Sequence, residues 1–209
     1  MKILRSFTVS LLAVAVGSWL ITGSIIADLQ KSVLQKDKHI SELKAELEAE
    51  LKNKEEMSRA DRANKIKKST EWIMHHSSRI SVETATEIAE EVCKYPNPIL
   101  LLALIEVESG FVPSAVSKAG ALGLGQVMFD IHKKMLVDLG IVDRRDLFNV
   151  KKNIKASSAI LQMYLKKNKG DVVKALHNYL GGKDGKYVSK IFSNYVYLSL
   201  EINNEVPNL

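Results

Sequence analysis

Residues 6–27 carry no charged side chain, a run of 22 that begins just after Lys2 and Arg5. At ~1.5 Å per residue a helix of that length reaches ~33 Å, enough to cross a hydrocarbon layer of ~30 Å. Two basic residues and no acid precede the run, which predicts a cytoplasmic amino end and export of the chain beyond residue 27. A cleaved secretory signal ending at Ala27 is the rival expectation. However, the apolar stretch exceeds the usual core of ~7–15 residues and lacks an Ala-x-Ala site. No Cys follows closely enough to suggest lipid attachment. Residues 1–27 are therefore expected to be an uncleaved signal anchor, a single transmembrane helix.

What remains suffices for one ordinary domain with a modest extension, since single cores commonly take ~100–200 residues. Hydrophobic residues at 46 % and charged residues at 26 % exclude both wholesale disorder and a polytopic membrane protein. The lone Cys93 rules out an intramolecular disulfide and a Cys-based zinc site, and it is expected to be a small buried hydrophobe. His75-His76 are not expected to hold a metal.

Residues 28–68 are rich in charge and contain no Gly, Pro or aromatic residue, the composition of an exposed helix. Alternating steps of three and four pick out Ile26, Leu29, Val33, Lys36, Ile40, Leu43, Leu47, Glu50, Lys54 and Met57, of which seven are apolar. This spacing predicts a coiled-coil stalk, through which residues 28–57 would pair with a second copy or a partner helix. A solvated single helix acting as a spacer is the plainer alternative. Arg59, Arg62, Lys65, Lys67 and Lys68 read as a basic linker.

From about Thr70 aromatics, glycines and prolines appear, marking a compact domain over residues 69–209. Ser81 can cap a helix running to about Lys94, and Asn97-Pro98 reads as a cap followed by proline, opening an apolar helix that Gly110 ends. Further helices are expected near 129–139, 151–167, 171–180 and 185–201. No sustained alternation of apolar and polar residues predicts a sheet, so the domain is mainly α.

The apolar helix ends in two carboxylates, Glu106 and Glu108. Two positions turn a helix by ~200°, so one should face water and the other the domain. Gly120, Gly123 and Gly125 then fall within six residues, permitting tight turns and close approach of backbone to a ligand. A carboxyl in apolar surroundings beside a glycine-rich wall is the arrangement of an acid catalyst in a cleft.

At these residues the chain resembles the soluble lytic transglycosylases of the lysozyme-like superfold. Their signature includes a Glu-Ser pair, a later Gly-Leu-Met-Gln and then an Ala-Tyr-Asn-x-Gly. Glu108-Ser109 is the first element, and matching spacing continues through Phe111, Pro113, Ala115-Val116-Ser117 and Gly120-Ala121-Leu122-Gly123-Leu124 to Gln126. Gly125 stands where the family has Met, a departure expected to widen the sugar site. Leu147-Phe148, Asn153-Ile154 and Tyr164-Leu165 are similar to the family's helix that enters and crosses the domain. Ala175-Leu176, Tyr179 and Gly182 match the last motif in part, with Leu180 in place of Asn and a shortened stretch before Tyr187-Val188. The resemblance covers about 72–198.

The resemblance implies a lysozyme-like, mainly α transglycosylase domain, which would stand behind the transmembrane helix and coiled-coil stalk expected from the residues before it. It also implies cleavage of the β-1,4 bond between N-acetylmuramic acid and N-acetylglucosamine in peptidoglycan, leaving a 1,6-anhydromuramoyl end. Glu108 would protonate the leaving oxygen and then, as carboxylate, take the proton of the sugar's own C6 hydroxyl. The substrate's N-acetyl group would replace a second carboxylate, so Glu106 is assigned no chemistry. Ser109, Ser117, Gln126, Tyr179 and Tyr187 are the implied substrate-binding residues, with Tyr179 the stronger motif match beside Glu108. Duller roles stay open: Ser109 as a helix end, Ser117 as a loop hydroxyl, Tyr164 and Met128 as core. No cofactor is expected. A catalytically weak glycan-binding scaffold and a hydrolase of goose-lysozyme type also stay open.

The formal charge of +6 allows nucleic acid, membrane or anionic polymer as partner. Divided by region it is +4 over residues 1–70 and +2 over 71–209. That division favours membrane and wall polymers over nucleic acid and fits a bacterial inner-membrane protein with its domain outside the cytoplasm.

Overall fold

The computed structural model describes the backbone of residues 2–203 and the side chains of residues 27–202 other than Leu29 and Val33. Seven α-helices are found among them: α1 (Lys2–His76), α2 (Val82–Val92), α3 (Pro98–Ser109), α4 (Phe129–Asp138), α5 (Val150–Lys167), α6 (Val172–Leu180) and α7 (Gly185–Asn203). A 3-10 turn at Arg144–Phe148 precedes α5. There is no strand among the described residues, only two isolated bridges, Val116 with Leu122 and Leu122 with Val127. The fold is thus mainly α.

The chain divides into two compact units, Met1–Ser58 and Arg59–Leu209. The first is the leading part of α1. Ile40, Leu43, Leu47 and Met57 of the expected seam are 48–67 % exposed, so an apolar stripe lies uncovered on the single chain. No helix among the described residues is long and apolar enough to cross a membrane. The 6–27 run lies outside the residues whose side chains are described, except at Ala27.

The second unit starts earlier than the aromatic and glycine pattern suggests. Residues 59–76, read as linker and domain entry, are the last turns of α1. Nothing in them breaks a helix, and they have an inward face: Ile73 is fully buried, and Ile66, Trp72 and Met74 pack against the core. Ser81 caps α2 by accepting from the Thr84 N–H at 3.3 Å. Asn97 does not cap α3 as expected. Its backbone is left-handed (φ 54°) and its side chain makes no cap bond. Pro98 at the first helical position has no N–H to satisfy, which lowers the need for one.

Leu100 to Ile105 are all buried, so α3 is apolar around its circumference, the mark of a helix enclosed by others. The main core gathers around it from α2, α5, α6, α7 and the end of α1. A second cluster forms around Leu136, Ile141, Leu147 and Ile160, and Tyr179 packs against both. Truncating a residue such as Leu104 to Ala would cost ~2–5 kcal/mol by the usual cavity penalty. The carboxyl end of this enclosed helix is therefore a rigid platform, and it carries Glu106 and Glu108.

Candidate active site

Gly110, left-handed at φ 58°, ends α3, and its N–H returns to the Glu106 carbonyl. Ser77 Oγ donates to the Gly110 carbonyl at 2.9 Å, and an Arg79 nitrogen to the Ser109 carbonyl at 3.4 Å, tying this end of α3 to the turn after α1. A cation beside a helix carboxyl end is electrostatically favourable.

The two carboxylates diverge, but neither is simply solvated. Glu106 Oε2 accepts a 2.9 Å hydrogen bond from the Trp72 indole of α1. The expected water-facing acid is thus a brace between two helices, because α1 runs on far enough to bring an indole to it. Glu108 is partly buried, and its Oε1 accepts from the Tyr187 hydroxyl of α7 at 2.5 Å. Burial raises its pKa to about 7, while the Tyr187 bond acts in the lowering direction by favouring the carboxylate.

The glycine wall is fastened to α5 and α6. Asn153 and Ser157 lie one turn apart on one face of α5. Asn153, itself buried, accepts from the Gly125 N–H at 2.8 Å and donates to the carbonyls of Leu122 at 2.9 Å and Leu147 at 2.7 Å. Tyr179 Oη donates to the Gly125 carbonyl at 2.8 Å. Both polar backbone groups of Gly125 are therefore spent on neighbouring helices.

This overturns the expectation that Gly125 widens the sugar site. A Cβ there would lie 2.0 Å from Ser157 Oγ, 2.7 Å from Ser157 Cβ and 3.0 Å from Tyr179 Oη. The space left by the missing side chain is already filled from α5 and α6. Gly123 is equally constrained: at φ 70° its Cβ would meet the Leu147 carbonyl at 2.2 Å and Asn153 Nδ2 at 2.3 Å.

A family model described as Transglycosylase SLT domain matches residues 85–190. The chain belongs to the transglycosylase SLT family. No curated protein and no solved structure matches it. Membership points to a lytic transglycosylase-type enzyme acting on peptidoglycan, with α2 to the start of α7 forming the matched SLT segment.

Within the SLT domain, Tyr187, the weaker motif match, touches the acid directly. Tyr179 bonds the glycine wall instead, although its own burial and then the charge of Glu108 push its pKa up. Gln126 has a left-handed backbone (φ 47°), and its Nε2 donates to the carbonyls of Gly123 at 2.9 Å and Ala115 at 3.3 Å. Nothing among the described residues donates to its Oε1. Ser117 Oγ accepts from the Ala121 N–H at 3.0 Å and closes the 117–121 turn, while Ser109 Oγ donates to the Ile105 carbonyl at 3.2 Å within α3. Both hydroxyls thus make the local bonds of their plainer readings.

Sequence reasoning missed Trp72 as the partner of Glu106, the Asn153–Ser157 clamp and His132. His132 in α4 meets Tyr164 of α5 edge-on with ring centres 6.2 Å apart, and burial lowers its pKa. The clamp had one legible signal, two small polar residues four apart on an otherwise apolar helix face.

Proposed function

We propose that this chain is a membrane-anchored lytic transglycosylase that cleaves between N-acetylmuramic acid and N-acetylglucosamine and leaves 1,6-anhydromuramoyl ends. The observation that carries the reading is the partly buried Glu108, poised near neutral pH and held by the Tyr187 hydroxyl. A carboxyl with pKa about 7 is protonated in half its copies at that pH, so it can donate to the glycosidic oxygen. Once it has donated, the carboxylate is stabilised by the Tyr187 O–H and can accept the C6 hydroxyl proton as that oxygen closes on the anomeric carbon. One residue serves as acid and then base, with the donor that steadies its charged form already in place.

Gln126 and Ser117 fit binding roles. With Nε2 of Gln126 turned into the loop, its Oε1 is left to accept from a substrate N–H, such as that of an acetamido group. The Ser117 hydroxyl, having accepted from Ala121, still has its proton to donate. Tyr179 acts by fixing the Gly125 backbone and thereby the position of Gln126. Glu106 supports α3 through Trp72 and takes no part in the chemistry.

Residues 6–27 would anchor the enzyme in the bacterial inner membrane with the SLT domain on the outer side. The exposed seam over residues 28–57 would pair with a second copy or a partner helix. Digestion of purified peptidoglycan and mass spectrometry of the products test the central reading. Anhydro ends are expected; reducing ends would replace the reading with a hydrolase, and bound but undigested sacculi with a scaffold.

A further inference from the structure

The +2 over residues 71–209 hides an uneven distribution. Residues 166–190 hold seven lysines against Asp171 and Asp184, a local +5, and the rest of 71–209 is therefore −3. Both aspartates of the cationic segment are occupied as helix caps. Asp171 Oδ1 accepts from the Lys174 N–H at 3.0 Å, and its other oxygen pairs with Lys174 Nζ at 2.7 Å. Asp184 Oδ1 accepts from the backbone N–H groups of Lys186 at 2.8 Å and Tyr187 at 3.3 Å. Lys166, Lys167, Lys169, Lys183, Lys186 and Lys190 are exposed and have no carboxylate partner among the described residues.

Three of these lysines, Lys183, Lys186 and Lys190, flank Tyr187, the residue that bonds the candidate catalytic acid. Residues 181–184 link the helix of Tyr179 to the helix of Tyr187, whose hydroxyl bonds Glu108. Lys183 lies in that link. Lys190 is three residues past Tyr187 on α7, so the two side chains share a face. Beside the link is a hollow of about 450 Å³ lined by Asn168, Lys174, His177, Asn178, Lys183 and the two glycines of the link. His177 lines its wall, with a buried Nε2 that has no hydrogen-bond partner among the described residues.

We propose that this cationic rim, centred on Lys183, Lys186 and Lys190, binds the free carboxylates of peptidoglycan stem peptides. The inference rests on the peptidoglycan reading of the site. In that substrate the stem hangs from the muramic acid sugar, whose bond is the one cleaved. A stem of four residues spans at most ~14 Å when extended. Its carboxylates must therefore lie near whatever flanks Glu108, and the flank that carries Tyr187 is the cationic one. The rim thus selects glycan by its peptides while the acid acts on its sugars.

The test is binding of stem-bearing glycan chains, and of the same chains stripped of peptide by an amidase, to the full Glu108→Gln chain, in which turnover should be at least ~100-fold slower. Stem-bearing chains should bind about fivefold tighter or more, from several exposed ion pairs acting together, and the preference should shrink at high salt. The triple variant Lys183→Glu, Lys186→Glu, Lys190→Glu should lose the preference while keeping its helical circular dichroism. Equal affinity for both glycans, a preference that survives the triple variant, or a rim that takes up anionic vesicles but not stems would each overturn the proposal. Lysis by the Glu108-containing chain is scored separately. Lysis without stem preference sinks the rim and leaves the enzyme, whereas stem preference without lysis sustains the rim and sinks the lytic reading.

Discussion

The Tyr187 hydroxyl donates a 2.5 Å hydrogen bond to Oε1 of Glu108, joining the start of α7 to the end of α3 across 79 positions of sequence. Burial of Glu108 favours its protonated form, and the Tyr187 bond favours its charged form. The balance between the two sets the pH at which one carboxyl can both give and take a proton.

Replacing Tyr187 with Phe removes the influence that favours the carboxylate, so the pKa of Glu108 should rise further. The alkaline limb of the pH profile of kcat/KM should move upward by about one pH unit, the worth of a typical hydrogen bond to a charged group. An unmoved limb, measured by release of soluble muropeptides across pH, would dissociate Tyr187 from the acid.

Glu108→Gln should reduce lysis by at least ~100-fold, the lower end of what general acid–base groups contribute. It should also make the fold more stable above neutral pH. The folded pKa of about 7 exceeds the ordinary 4.5, so the stability Glu108 contributes is fully present below pH ~4.5 and is lost as pH rises through about 7. Gln carries no such cost. Thermal unfolding should therefore show a Tm higher than the parent chain's by about 5 °C at pH 8, with the gap closing below pH ~4.5.

Gly125→Ala should destabilise the domain by ~1–3 kcal/mol, the usual cost of overpacking, because its Cβ would meet Ser157 Oγ at 2.0 Å. Ser157→Gly should reduce the cost of Gly125→Ala when the two are combined. A double-mutant cycle in denaturant reads this directly, and additive costs would show that the two residues do not compete for the same space.

Tyr179→Phe should behave unlike Tyr187→Phe. It removes the donor to the buried Gly125 carbonyl, at a cost of ~1–3 kcal/mol in stability. Because Tyr179 acts on position rather than on the acid, kcat/KM should fall while the pH at the alkaline limb barely moves. A limb displaced as far as that of Tyr187→Phe would make Tyr179 a direct partner of Glu108.

Much of the fold can be read from local signals. Ser81 before α2, Gly110 after α3 and Asp171 before α6 stand where local chemistry demands a cap or a stop, and the helices run between them. The end of α1 is not legible in this way because its charged composition looks like a linker. Only packing of Ile66 and Ile73 against distant helices makes residues 59–76 part of the domain. Asn97 looks like a cap, yet its backbone conformation is left-handed and its side chain makes no cap bond.

The candidate site divides in the same way. The order of residues along the chain is enough to show that an apolar helix ends in Glu108-Ser109 and that a glycine-rich wall ending in Gln126 comes next, because helix-ending signals and motif spacing are properties of neighbouring residues. Packing alone settles which tyrosine touches the acid, that Trp72 claims Glu106, and that Ser157 fills the space beside Gly125. Each of these depends on which side chains meet across tens of residues, and that is set by how the helices pack around α3.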